Sequence, residues 1–144
     1  MSNISERLKE FLILNNLSAL SLSKLVDIDR STISALIRGE NLPSLENLLK
    51  LVCFFNCSAD YLLGLTDDYP EKTYRVKDEK FGKRFRDILK KASVSQYQLT
   101  KQYKISSSLI YRWLNDLTLP NSFYLIKLSQ YLEVSVDNLL GIEN

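Results

Sequence analysis

Apolar residues recur at helical spacing along the whole chain. Ile4, Leu8, Phe11 and Leu12 mark one face of a first helix. Ser18 precedes a second, with Leu22, Leu25 and Val26 turned inward; serine starts helices well because its hydroxyl accepts an orphan backbone N–H. Asp29 caps a third helix with Ile33 and Leu36 inward, and Gly39 stops it in the left-handed conformation. Pro43-Ser44 opens a fourth, carrying Leu45, Leu48, Leu49 and Val52, and Ser58 opens a short fifth that Gly64 ends. The same grammar returns later, with caps at Ser95, Ser106, Asn121 and Ser135. The core there is Phe85, Ile88, Leu89, Leu99, Ile105, Ile110, Trp113, Leu125, Leu128 and Leu132. No stretch carries a strand signal, so the expected class is all-α, with five short helices per half.

The halves are copies. With the sequence shifted by 77 residues, residues 4–65 meet residues 81–142 with 18 identities and no gap, where ordinary composition predicts about four. Leu42-Pro43 falls on Leu119-Pro120, Ser58-x-Asp60 on Ser135-x-Asp137, and Leu62-Leu63-Gly64 on Leu139-Leu140-Gly141. Two small domains, 1–66 and 80–144, are expected around a linker over 67–79. Asp67-Asp68-Tyr69-Pro70-Glu71-Lys72 is polar and holds a proline, as linkers do. Tyr74 and Val76 either form a short extended piece or pack on a neighbour.

Composition narrows the chemistry. Four Gly and three Pro in 144 residues are too few for the frequent turns of a β-sandwich. The absence of histidine removes the commonest general base and metal ligand. With no Gly-rich phosphate loop and no plausible metal cluster, neither an enzyme nor a cofactor or metal site is expected. Asp67 and Asp68 are neighbours in a linker and make a poor catalytic pair. Cys53 and Cys57 read as reduced core cysteines. The first residues lack a basic and apolar leader, and apolar runs such as Phe11 to Leu14 are far too short to cross a bilayer, so a cytoplasmic protein without a membrane partner is expected. The net charge is only +2, which permits a nucleic-acid partner without arguing for one.

Only Asp27-Ile28-Asp29 joins the second and third helices, and so tight a join sets them at a steep angle with Ile28 plugging the corner. Leu17-Ser18-Ala19-Leu20-Ser21-Leu22-Ser23-Lys24-Leu25, Ile28-Asp29-Arg30-Ser31-Thr32-Ile33-Ser34 and Arg38-Gly39-Glu40-Asn41-Leu42-Pro43-Ser44-Leu45 together resemble the Xre, or lambda-repressor-like, helix-turn-helix family. Cys57-Ser58-Ala59-Asp60-Tyr61-Leu62-Leu63-Gly64-Leu65 is similar to its fifth helix. The second copy matches more loosely, through Val94-Ser95-Gln96, Ile105-Ser106-Ser107-Ser108-Leu109-Ile110, Leu119-Pro120 and Val134 to Gly141. The resemblance implies two tandem five-helix lambda-repressor-like domains that bind double-stranded DNA, usually as dimers, to regulate transcription.

It also implies a set of contacts. Residues near the start of the third helix reach base edges in the major groove: Arg30, Ser31, Ser34 and Ala35 in copy one, Ser107, Ser108, Tyr111 and Arg112 in copy two. Either arginine can grip a guanine with two hydrogen bonds, and Ala35 can touch a thymine methyl. Ser18, Arg38, Asn41 and Ser44, with Ser95, Gln96, Lys101 and Asn115, are the phosphate-contact candidates. Similar proteins carry a glutamine at the start of the second helix; Gln96 keeps it and Ala19 has lost it.

Three features depart from that picture. Residues 1–66 carry net −1 and residues 78–144 net +3, and a negative module binds DNA weakly by itself. Glu40 and Asp116 stand where the family often has a cation, and each repels phosphate unless it caps something. Ile13, Leu14 and Leu20 of copy one exceed its core face and are expected to pack against copy two or another chain. The expected function is a sequence-specific DNA-binding regulator, a repressor with two heads. The linker, spanning at most about 45 Å, lets them reach grooves about 34–36 Å apart. The alternative is a protein-interaction module, an antirepressor or assembly factor on the same scaffold. A homodimer, an inter-domain pseudo-dimer and a protein effector stay open as partners.

Overall fold

Short polar side chains start nearly every helix in the computed structural model, which describes residues 3–68 and 75–143. Among these residues the chain forms two units, which divide between Arg75 and Val76.

In unit 1, Asn3, Ser18, Asp29, Ser44 and Ser58 accept backbone N–H bonds at the starts of α1 (Ile4–Leu14), α2 (Ala19–Val26), α3 (Arg30–Ile37), α4 (Leu45–Phe55) and α5 (Ala59–Leu62). Left-handed residues close α2 and α4, at Asp27 and Asn56, and Gly39 follows α3 at φ +75°. Leu8, Leu22, Ile33, Leu36, Leu48, Leu51 and Leu62 are fully buried. Each such side chain adds about 1.5–3 kcal/mol of hydrophobic stabilisation. Phe11 of α1 stacks on Phe55 of α4 at 4.6 Å. Two expected core positions face outward instead. Leu25 is 58% exposed, because the eight-residue α2 buries Leu22, Ser23 and Val26 and Leu25 lies off that stripe. Cys53 is exposed on α4 while Cys57 is buried.

One charged side chain enters this core. Arg7 of α1 lies over the Tyr61 ring at 3.9 Å from its centroid and donates to the Tyr61 hydroxyl at 3.1 Å. Its Nη2 donates to Thr66 O at 3.2 Å and the Asp67 carboxylate at 2.8 Å. The chain leaving unit 1 is thus tied back to α1.

Unit 2 repeats the arrangement with α6 (Phe81–Ala92), α7 (Gln96–Lys101), α8 (Ser107–Leu114), α9 (Ser122–Leu132) and α10 (Val136–Leu140). Ser95 and Gln98 form a reciprocal capping box on α7. Ser106 flanks α8 but makes no side-chain cap bond, unlike Asp29, which stands in the corresponding place. All ten expected core residues are buried, with Trp113 edge-on to Phe85 and Tyr124. Arg84, the counterpart of Arg7, donates to Leu139 O at 2.8 Å and Glu79 O at 3.2 Å. Burial pulls its guanidinium below the ordinary value, with Glu79 opposing that shift.

Val76, open in the sequence between an extended piece and packing on a neighbour, pairs in a two-residue strand, β1 (Arg75–Val76), with β2 (Ile142–Glu143), and Lys77 N–H donates to Gly141 O at 2.8 Å. This pairing had no signal in the sequence pattern, since two residues cannot display alternation. Tyr74, with the rest of 69–74, lies outside the described residues. Among the described residues no helix is long and apolar enough to cross a membrane.

Candidate nucleic-acid interface

Each unit presents one helix on a tight corner. In unit 1, Asp27 in the left-handed conformation turns the chain, Lys50 Nζ donates to its carbonyl at 2.9 Å, and Ile28 is buried. Asp29 then receives the Ser31 N–H at 3.1 Å and the Ser31 hydroxyl. Those hydrogen bonds, the hydroxyl's first, hold the Asp29 carboxyl below its usual range. They also lock the first turn of α3 and commit the Ser31 donor, leaving its oxygen to accept.

The exposed side of α3 carries Arg30 and Ser31, with Ser34 half-buried beside them. Ala35 does not belong to this face. It is 7% exposed, buried within the packing of unit 1, so its methyl is not presented to a thymine methyl as expected. Arg38 is exposed but engaged, since its Nε and Nη2 donate to the two Glu40 carboxylate oxygens at 2.9 and 3.0 Å. The pairing raises the Arg38 guanidinium and lowers the Glu40 carboxyl, by hydrogen bonding first and charge second. Glu40 therefore neutralises the cation expected to meet phosphate. An exposed pair of this kind is worth little and opens at small cost. Asn41 is exposed, and Ser18 and Ser44 spend their hydroxyl oxygens as caps on Ser21 and Asn47 N–H.

Unit 2 presents a longer stripe. Lys104, at φ +61°, turns the chain and Ile105 fills the corner. Ser107, Ser108, Tyr111, Arg112 and Asn115 are all exposed, at spacings of three and four residues along α8. Ile110, Trp113 and Leu114 fix the opposite side in the core. Asn115 folds its amide back onto Tyr111 O at 2.8 Å. On α7, which packs against α8, Gln96 is exposed at the first helical position beside the Ser95 cap, and the Lys101 ammonium lies 5.9 Å from the Tyr97 ring. Tyr97 is itself exposed, and its residue type alone gives no sign of a DNA-contact role, since its counterpart Leu20 reads as a partner-surface residue.

The two faces are not equivalent. By the 77-residue repeat, Arg112 stands where unit 1 has the buried Ala35, and Arg30 where unit 2 has Ser107. Each unit offers one exposed arginine on this helix, at opposite ends of it. Asp116 does not oppose the face either; its carboxylate accepts the Gly82 N–H at the start of α6. The expected contact residues Ile13, Leu14 and Leu20 of unit 1 are exposed, at 80%, 79% and 43%.

A family model described as Helix-turn-helix matches residues 8–62 and again residues 85–139. No curated protein and no solved structure matches the chain.

Proposed function

Since the chain belongs to the helix-turn-helix family of the Xre, or lambda-repressor-like, type, a DNA-binding regulatory family, we propose that it is a sequence-specific repressor reading double-stranded DNA with two heads in one chain. The observation that carries this reading is the solvent-facing stripe Ser107, Ser108, Tyr111, Arg112 on α8, held from behind by Trp113. A helix fits the major groove, where serine hydroxyls bond base edges and an arginine takes guanine O6 and N7 together. Gln96 and Lys101 fit the phosphate-contact role beside it.

The second head is weaker in charge and different in letters. Arg30 and Ser31 face outward at the start of α3, while Arg38 is paired with Glu40. Guanidinium groups at opposite ends of the two helices favour an operator whose half-sites differ. Binding to a random duplex at rising salt tests the proposal. Log affinity should fall steeply, by about 0.9 per neutralised phosphate for each decade of salt. A flat profile would instead favour the protein-interaction reading, an antirepressor or assembly factor, for which the exposed Ile13, Leu14 and Leu20 speak.

A further inference from the structure

Both units place a serine at the same exposed point of the reading helix, Ser31 on α3 and Ser108 on α8, one repeat apart. Their surroundings differ. The Ser31 hydroxyl donates to Asp29 Oδ2, the oxygen that also receives the Ser31 N–H at 3.1 Å. Asp29 stands just before α3, and its counterpart before α8 is Ser106, which makes no side-chain cap bond. Among the described residues nothing holds the Ser108 hydroxyl. An ionised carboxylate only accepts hydrogen bonds, so the proton of the Asp29 contact is the one on Ser31. The lowered Asp29 carboxyl stays ionised at neutral pH. A hydroxyl has one proton and two lone pairs. With its proton committed, Ser31 can only accept, while Ser108 can turn either way.

In the major groove this difference selects bases. Adenine N6 and cytosine N4 offer N–H groups, whereas guanine O6 and N7 and thymine O4 accept. An unrestrained serine suits either kind. A serine that only accepts suits the amino groups alone. Against guanine or thymine it sets lone pair against lone pair, and both groups lose a partner. The Asp29 charge beside it acts in the same direction, since carboxylates also accept from amino groups of bases. Resting on the DNA-binding reading and deepening it, we propose that Asp29 is a specificity-determining positioning residue. By holding the Ser31 proton it restricts Ser31 to adenine or cytosine on the strand it faces, while Ser108 stays tolerant at the matching place of the other head.

The test uses the full chain and a duplex that it selects from a random pool, with each base pair then exchanged for the other three at one salt concentration. Ser31→Ala locates the position, as the base pair at which it levels the wild-type discrimination. There the wild type should favour adenine or cytosine on one strand over guanine or thymine by about threefold to tenfold, the worth of one hydrogen bond. Asp29→Ala should erase that preference while the other positions keep theirs, and Asp29→Asn, which retains an accepting oxygen, should restore it. A merely weakened helix start would lower affinity for all the duplexes alike and leave the preference in place. If circular dichroism shows Asp29→Ala misfolded, Asp29→Ser, copied from Ser106, takes its place. Guanine or thymine favoured at that position, a preference that survives loss of the Asp29 carboxylate, or no position that answers to Ser31→Ala overturns the inference and leaves DNA binding standing. A pool from which no duplex is enriched overturns the DNA-binding reading, and this inference with it.

Discussion

The Gly82 N–H donates to the Asp116 carboxylate at 2.9 Å, tying the start of α6 to the loop after α8. The same place in unit 1 holds the opposite arrangement. Ser5 replaces Gly82 and Gly39 replaces Asp116, and the tie is now the Ser5 hydroxyl donating to Ile37 O. In unit 2 the carbonyl equivalent to Ile37 O, that of Leu114, lies 2.4 Å from where a Cβ on Gly82 would sit. Helix and loop approach more closely there, and only glycine fits. The acid that looks hostile to DNA is a helix cap placed on a distant helix.

Asp116→Ala should therefore destabilise unit 2 by about 1 kcal/mol, the usual loss for a removed cap. Gly82→Ala should destabilise it as well, by up to about 2 kcal/mol net. Alanine gains about 1 kcal/mol in helix propensity, but backbone overpacking costs about 1–3 kcal/mol. Denaturant unfolding followed by fluorescence of Trp113, the single tryptophan, reads unit 2 alone. An unchanged midpoint for Gly82→Ala would refute the close approach.

Arg7→Met should loosen unit 1 selectively. It removes the donors that satisfy Tyr61, Thr66 O and Asp67 and the cation over the Tyr61 ring. Hydrogen bonds to a charged group are worth about 1.5–3 kcal/mol. Hydrogen exchange of α1 and α5 amides should accelerate while the Trp113 transition stays in place. Arg7→Lys should rescue little, because a single ammonium cannot serve three partners in a fork.

Stability should also respond to acid through Asp29. Its carboxyl titrates below its ordinary value because Ser31 donates to the charged form. A lowered folded pKa contributes stability above the unfolded value, and that contribution is lost as pH falls through the folded one. Asp29→Asn keeps a capping oxygen without the charge. Amide exchange at the start of α3 should then depend less on pH between about 5 and 2. Equal pH dependence in both proteins would remove Asp29 from that role.

Repetition made the fold readable in advance. Caps at Ser18, Ser95 and Asn121 and the apolar spacing around Phe85 and Trp113 are local signals, and they placed the helices and the core. Leu25 misled because an eight-residue helix allows two plausible inward stripes, and Ser23, whose hydroxyl bonds Leu20 O, took the buried place. Ala35 misled because its position within the third helix suggested a face, while its burial is set by tertiary packing that residue types alone do not show. The tie of Asp116 to Gly82 is tertiary geometry and the pairing of Arg38 with Glu40 is set by the loop conformation between them, and residue types alone leave those acids looking unfavourable.

The reading faces themselves can be tested by affinity for a duplex selected from a random pool, measured at one fixed salt concentration. Arg112→Ala should weaken binding by about 1–3 kcal/mol and relax preference at one guanine, and Arg30→Ala should do so at a different base pair. If both variants bind the selected duplex as tightly and as selectively as the wild type, the α3 and α8 faces do not read DNA and the account is wrong.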